Sequence, residues 1–169
     1  APEWGAALAS MISIGAVSEC GSKTYYAELD AWLPEECSEF VRAVVIPLLE
    51  HPAGARLSNS ACRDSFVTWM LAFGEPIELV ADSDWDWRMI LGLLGSHLHL
   101  EHLRSGWIES TESKRITLLF RQFDTTAIEL VFQKAACAIY NGRQHHALVD
   151  AHALRAGVLA VEKTYEGLA

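Results

Sequence analysis

Residues 11–29, MISIGAVSECGSKTYYAEL, decide the fold class. The run 11–19 is short and apolar with isoleucine in alternation, and 23–29 (KTYYAEL) is a second run of β-formers. Cys20-Gly21-Ser22 lies between them and supplies turn residues, so the stretch predicts a β-hairpin. An early hairpin argues against an all-helical architecture.

Working outward, Pro34 opens a predicted amphipathic helix through Phe40, Val41, Val44 and Val45 towards Leu49, with Glu35, Glu36 and Glu39 in its early turns. Residues 51–59 hold Pro52 and Gly54 and predict a loop, followed by a helix over 60–73 that Gly74 ends. Residues 77–81 (IELVA) predict a buried strand. It runs through Asp82-Ser83-Asp84-Trp85-Asp86 into a helix carrying Met89, Ile90, Leu93 and Leu94. Residues 96–114 give few periodic signals. Beyond them, 115–123 predict a strand and 125–140 a helix that Asn141-Gly142 breaks. A last helix runs from about 147 to 165, with Ala147, Ala151, Leu154, Val158, Val161 and Tyr165 in one stripe. A hairpin followed by alternating strand and helix predicts an α/β sheet flanked by helices, in one domain of 169 residues.

Composition bounds the function. Hydrophobic residues make up 51% and charged residues 21%, the balance of a chain that buries a core rather than a disordered one. Thirteen basic against 22 acidic side chains leave a net charge of −9, so no global field attracts a polyanion. Binding to nucleic acid then needs a local patch or metal ions. Cys20, Cys37, Cys62 and Cys137 form no CxxC pair and no zinc spacing with histidine. They read as reduced, mostly buried thiols of a cytoplasmic protein. The uncharged run 4–18 is too short and too rich in Gly, Ala and Ser to span a bilayer, and no basic segment precedes it.

Two acids are placed where chemistry is expected. Asp86 falls in the first turn of its helix with Ile90 and Leu93 on its face, and Asp150 in the first turn of the last helix with Leu154 and Val161 on its face. A charge at the edge of an apolar stripe costs roughly several kcal/mol unless it is paired or binds a cation. Plainer roles exist for both, since Ser83-x-x-Asp86 fits a capping box and first-turn acids complement the helix dipole. His145 lies five residues before Asp150, where an imidazole can take a proton from water. Its plainer reading is that one of His145 and His146 caps the helix entrance and the other is exposed. No cysteine or acid completes a recognisable zinc ligand set with His97, His99 and His102.

These residues, in this order, resemble the DEDDh 3′-to-5′ exonucleases, the histidine-containing branch of the DnaQ-like superfamily. Residues 145–151 (HHALVDA) are similar to the family's third motif, 80–86 (VADSDWD) to its second, and 11–19 to its second strand. The resemblance spans about 11–160, with 96–140 matched in outline, and is nearest to bacterial exoribonuclease-like members. It implies an RNase H-like mixed sheet flanked by helices. It also implies release of nucleoside monophosphates from the 3′ ends of single-stranded nucleic acid, RNA ahead of DNA, and a homodimer. His145 would be the general base, Asp86 and Asp150 the ligands of Mg2+ or Mn2+, and Asp82, Trp85 and Arg143 the substrate contacts. The family's first motif, Asp-x-Glu on the first strand, has no counterpart in 1–7 (APEWGAA), where Glu3 follows Pro2. The first strand is therefore expected to be lacking or replaced, through a trimmed start or natural loss.

Two-metal phosphodiester cleavage needs carboxylates holding ions about 3.5–4 Å apart. With two of the four family acids, this chain is expected to be weak or inactive alone. A binding or regulatory protein on the same fold with an eroded catalytic set is the alternative. An all-helical metal phosphohydrolase using His145, His146 and Asp150 is a third reading, which the hairpin opposes.

Overall fold

In a computed structural model, the described residues are 11–75, 77–81, 83–94, 105–109, 115–122 and 129–166, with 84, 87, 105–109, 115–122, 129 and 165 described by backbone alone. They are mixed α/β and fall into two compact units. One is built on Ile12–Glu28, Trp32–Arg56 and Asp124–Ala169, the other on Leu29–Ala31 and Leu57–Phe123. Among the described residues, no helix is long and apolar enough to cross a membrane.

The first unit begins with the expected hairpin. Strand β1 (Ser13–Val17) pairs antiparallel with β2 (Thr24–Glu28) in the register Ser13↔Glu28 to Val17↔Thr24. The turn closes with Ser18 N–H donating to Lys23 O at 2.9 Å and Gly21 N–H to Ser18 O at 2.8 Å. Gly21 takes φ +77°, a conformation glycine adopts without steric cost. The last two helices of the chain, α3 (Glu129–Tyr140) and α4 (Ala147–Glu166), complete the unit. They pack against each other, and α4 also lies on β1. The most buried line of α4 is Ala153, Gly157, Val158 and Val161. It lies partly round the helix from the predicted stripe, because Gly157 leaves room for the Phe132 ring of α3: a Cβ there would come within 2.4 Å of it.

The predicted helix over 34–49 forms only in irregular pieces. The chain makes a 3-10 turn at Pro34–Glu36, then a continuous helical stretch over 39–48 that starts α-helical, widens to a π-helical turn at Val41–Val45 and tightens to a 3-10 turn at Ile46–Leu48. Pro47 is the cause of the widening and tightening. Its ring clashes with the carbonyl four residues back and it donates no hydrogen bond, so bonding widens to Ile46 N–H→Val41 O before the proline and tightens to Leu49 N–H→Ile46 O after it.

The second unit holds a three-stranded mixed sheet in the order β3-β5-β4. Strand β3 (Ile77–Ala81) runs parallel to β5 (Arg115–Gln122), and β4 (Ser105–Glu109) antiparallel to it. Helix α1 (Asn59–Leu71) starts at Ser58, whose hydroxyl accepts the Ala61 N–H at 3.2 Å, and buries Cys62, Phe66, Val67 and Met70. Gly74, at φ +70°, ends that segment. Helix α2 (Asp84–Leu94) follows β3 and buries Leu91, Leu93 and Leu94. Strand β4 lies in the stretch that gave no clear signal, and His97, His99, His102 and residues 1–10 lie outside the described residues.

The four cysteines form no disulfide, and contrary to expectation they are not mostly buried. Cys62 is buried, Cys37 is half-buried, and Cys20 and Cys137 are exposed. Cys20 sits in the hairpin turn, where the hydroxyls of Ser18 and then Ser22 lower its thiol to about 7.

Candidate functional site

The turn that leads into α4 carries three of the predicted site residues. Its position is set by Gly15 of β1, where a Cβ would stand 2.4 Å from the Ala147 carbonyl, so the first turn of α4 rests directly on the strand backbone. His146 caps the helix: its Nδ1 accepts the Val149 N–H at 3.4 Å, and its carbonyl accepts the Asp150 N–H at 2.9 Å. Asp150, in the first turn, reaches back to accept the His145 N–H on Oδ1 at 3.0 Å.

That bond holds His145 at φ +75°, a left-handed conformation costing a non-glycine residue about 1–3 kcal/mol. The His145 imidazole is left exposed, with the exposed Phe40 edge-on to it at 5.1 Å. His145 and Asp150 are thus brought together through a backbone amide. Of the two neighbouring histidines, His146 caps the helix and His145 faces solvent.

Beneath this turn lies a charged cluster that the sequence did not announce. Glu50 Oε1 pairs with the Arg143 guanidinium and stands 3.3 Å from His146 Nε2, outside hydrogen-bond alignment. Arg143 is therefore engaged with a protein carboxylate in this structure. Its hydrogen bond is the main cause holding the Glu50 carboxyl below its usual value. His146 is 3% exposed and stacks on Tyr26 at 4.7 Å. Burial first, and Arg143 second, hold its imidazole below the ordinary histidine value. With Nδ1 accepting, the neutral ring carries its proton on Nε2, towards Glu50.

Glu28, at the end of β2, is 1% exposed. Its Oε1 accepts the Tyr26 hydroxyl at 2.6 Å and the amides of Glu50 at 2.6 Å and His51 at 3.0 Å. Its Oε2 faces Arg56 Nε at 3.5 Å, an ion pair without hydrogen-bond alignment, and the Arg56 guanidinium lies over the buried Trp32 ring at 4.7 Å. Burial alone would raise this carboxyl, but the Tyr26 hydroxyl and the His51 and Glu50 amides outweigh it and hold it below its usual value. The Tyr26 hydroxyl is raised in turn, by burial and then by Glu28. A fully enclosed carboxylate cannot meet substrate. Its function is to tie residues 50, 51 and 56 to β2.

The remaining predicted residues lie in the other unit. Asp86 sits in a local capping arrangement, with Ser83 Oγ donating to its Oδ2 at 3.0 Å and accepting its N–H at 3.2 Å. Trp85 is 59% exposed with the Arg88 guanidinium 5.9 Å over its ring, so a flat aromatic face stands at the start of α2. Asp82 lies outside the described residues. Asp86 and Asp150 offer hard carboxylate oxygens of the kind Mg2+ and Mn2+ take, and Mg2+ needs few protein ligands. Among the described residues, no three His, Cys, Asp or Glu side chains are gathered as a metal-holding group. No family model, no curated protein and no solved structure matches this chain.

Proposed function

We propose that the protein is a metal-dependent 3′-to-5′ exonuclease of the DEDDh type on an RNase H-like fold, releasing nucleoside monophosphates from single-stranded RNA in preference to DNA. The observation that carries this reading is the His145–Asp150 turn: an exposed imidazole, held in a strained backbone by the carboxylate that opens a long helix. Strain concentrated at one exposed histidine is a feature of functional turns.

In this reading Asp150 and Asp86 would be the carboxylates that hold Mg2+ or Mn2+, which would supply Lewis-acid stabilisation of the phosphate being cut. His145 takes the proton from the attacking water, which suits an imidazole at neutral pH. Trp85 offers its exposed face to a base, a contact worth about 1–3 kcal/mol in single-strand binders. Arg143 reaches a backbone phosphate through guanidinium donors that Glu50 does not use, and Asp82 helps to position the substrate. The protein acts in the cytoplasm, as a homodimer.

A second reading is a binding or regulatory protein on the same fold with an eroded catalytic set. It is favoured by the structural employment of both acids, Asp86 against Ser83 and Asp150 against the His145 amide. The 169 residues alone are expected to be weak or inactive without Asp-x-Glu, so the test is degradation of a 5′-labelled single-stranded oligonucleotide with Mg2+ or Mn2+ by the protein supplied with a first strand carrying that motif. The enzyme reading expects a ladder of shortened products that Asp150→Asn and His145→Ala abolish. Unchanged activity in both variants sinks the site assignment, and binding without shortening selects the second reading.

A further inference from the structure

The loop joining α3 to α4 is strained at one residue. Asn141 and Gly142 take positive φ, at 41° and 78°, which asparagine and glycine adopt readily, whereas His145 at 75° does so at a cost. Its internal bonds, Arg143 N–H→Tyr140 O at 2.7 Å and His146 N–H→Arg143 O at 3.2 Å, close two short turns but leave the loop reliant on outside support. Besides the Asp150 carboxylate, the Tyr26 ring and the seat on Gly15, a second carboxylate supplies that support. Glu50 Oε1 engages Arg143, two residues before His145, and stands beside His146, one residue after it. The base of the clamp is itself fixed, because the Glu50 amide donates to the buried Glu28 carboxylate at 2.6 Å.

We infer that Glu50 is a positioning residue for His145, bonded to Arg143 on one side of the strained turn and lying against His146 on the other, so that its imidazole is presented in one place beside Asp150. Glu50 touches neither the His145 ring nor any reacting atom. Its effect passes through the backbone: Arg143 sets where the turn leaves α3, His146 sets where it joins α4, and the His145 N–H to Asp150 bond forms only when both ends are held. Tyr26, stacked on the His146 ring, fixes the plane of that imidazole but has no hold on Arg143. A misplacement of about 1 Å at a catalytic group can cost about a hundredfold in rate, which is the scale such a clamp guards against.

The kinetic arm of this inference rests on the exonuclease reading; the structural arm does not. The test uses Glu50→Ala and Glu50→Gln in the full-length protein. The Glu50 side chain is 47% exposed, so neither change opens the core. On a 5′-labelled oligonucleotide with Mg2+ or Mn2+, Glu50→Ala is expected to lower kcat about ten- to a hundredfold, the range for partners that orient a functional residue. Glu50→Gln keeps an acceptor oxygen for Arg143 and is expected to recover most of the loss.

Amide hydrogen exchange gives the second readout. In Glu50→Ala, His145 and Val149, whose N–H groups report the turn and the cap, are expected to exchange faster, and the central amides of α3 to stay protected. Unchanged exchange at His145 and Val149 overturns the inference, as does an unchanged kcat. If the wild-type protein, supplied with an Asp-x-Glu first strand, cleaves nothing, the exonuclease reading fails on its own. Exchange then decides alone: faster exchange retains Glu50 as the brace of the turn, and unchanged exchange removes it.

Discussion

The start of α4 is fixed by Gly15, Tyr26 and Glu50, all far away in the chain, whereas the start of α2 is capped by a serine three residues before Asp86. Both helices open with a candidate metal-binding acid. At α4 the acid stands over a mesh of charges ending in a buried carboxylate; at α2 it bonds to its own capping serine. The difference teaches where a functional turn gets its rigidity. A local cap holds a helix start but does little to fix the residue before it, while long-range contacts can hold His145 at a backbone angle it would otherwise leave.

The largest test of that contrast is Glu28→Ala. Removing one partner of a buried ion pair costs about 3–5 kcal/mol, here with the anchors of residues 50 and 51 lost as well. Urea unfolding followed by circular dichroism should show a loss of this size, a large share of a typical stability of about 5–15 kcal/mol. A loss below about 1 kcal/mol, the worth of an ordinary helix cap, would erase the distinction between the two helix starts.

Acid should dissect the same mesh in two steps. His146 is held below the ordinary 6.5 in the fold, so below that pH the unfolded chain takes up a proton the folded one does not, and stability falls. The Glu28 and Glu50 carboxyls are held below 4.5, so their contribution is complete above that pH and disappears as pH falls through their lowered folded values. Unfolding free energy measured from pH 8 to 4 should therefore decline from about pH 6.5 downward, and the first step should vanish in His146→Gln. A flat profile across that range would show that the buried histidine adds nothing to the support of α4.

Gly15→Ala comes next. The new methyl would meet helix backbone at 2.4 Å, which cannot swing aside as a side chain can. Overpacking of this kind costs about 1–3 kcal/mol. Gly54→Ala, where no atom lies within 4 Å of the new Cβ, is the control and should stay within about 0.5 kcal/mol of wild type. Equal effects at the two glycines would mean that α4 does not depend on its seat on β1.

What the sequence revealed follows the same division between near and far. The hairpin, β3 and the start of α2 are written in short-range signals: alternating isoleucines, a Gly-containing turn, and Ser83 three residues before Asp86. The contact of Asp150 with His145 spans five residues, but the sequence pointed to the imidazole and not to the backbone N–H that the carboxylate accepts. Glu28 was not legible, since its burial depends on the amides of Glu50 and His51 and on Arg56, which no local pattern in 24–28 foretells. Glu50 was hidden for the same reason, its partners lying at 143 and 146. The expected helix over 34–49 formed only in irregular pieces, and part of the reason was a signal that was present: Pro47 interrupts the amphipathic pattern over 41–49. Strand β4 is five residues long and gains its order from pairing with β5 rather than from its own composition.

The smallest expected effect belongs to the α2 side. Ser83→Ala removes the hydroxyl that accepts the Asp86 N–H and donates to its carboxylate, and a lost cap of this type costs about 1 kcal/mol. Ser83→Thr keeps both bonds and should recover most of it. The loss should be local, with faster amide exchange in the first turn of α2 and none at His145, because both bonds of this serine end three residues away on Asp86. The outcome that would break the contrast is a Ser83→Ala loss matching that of Glu28→Ala. The start of α2 would then depend on more than its own first turn, and Asp86 would be held as firmly as Asp150.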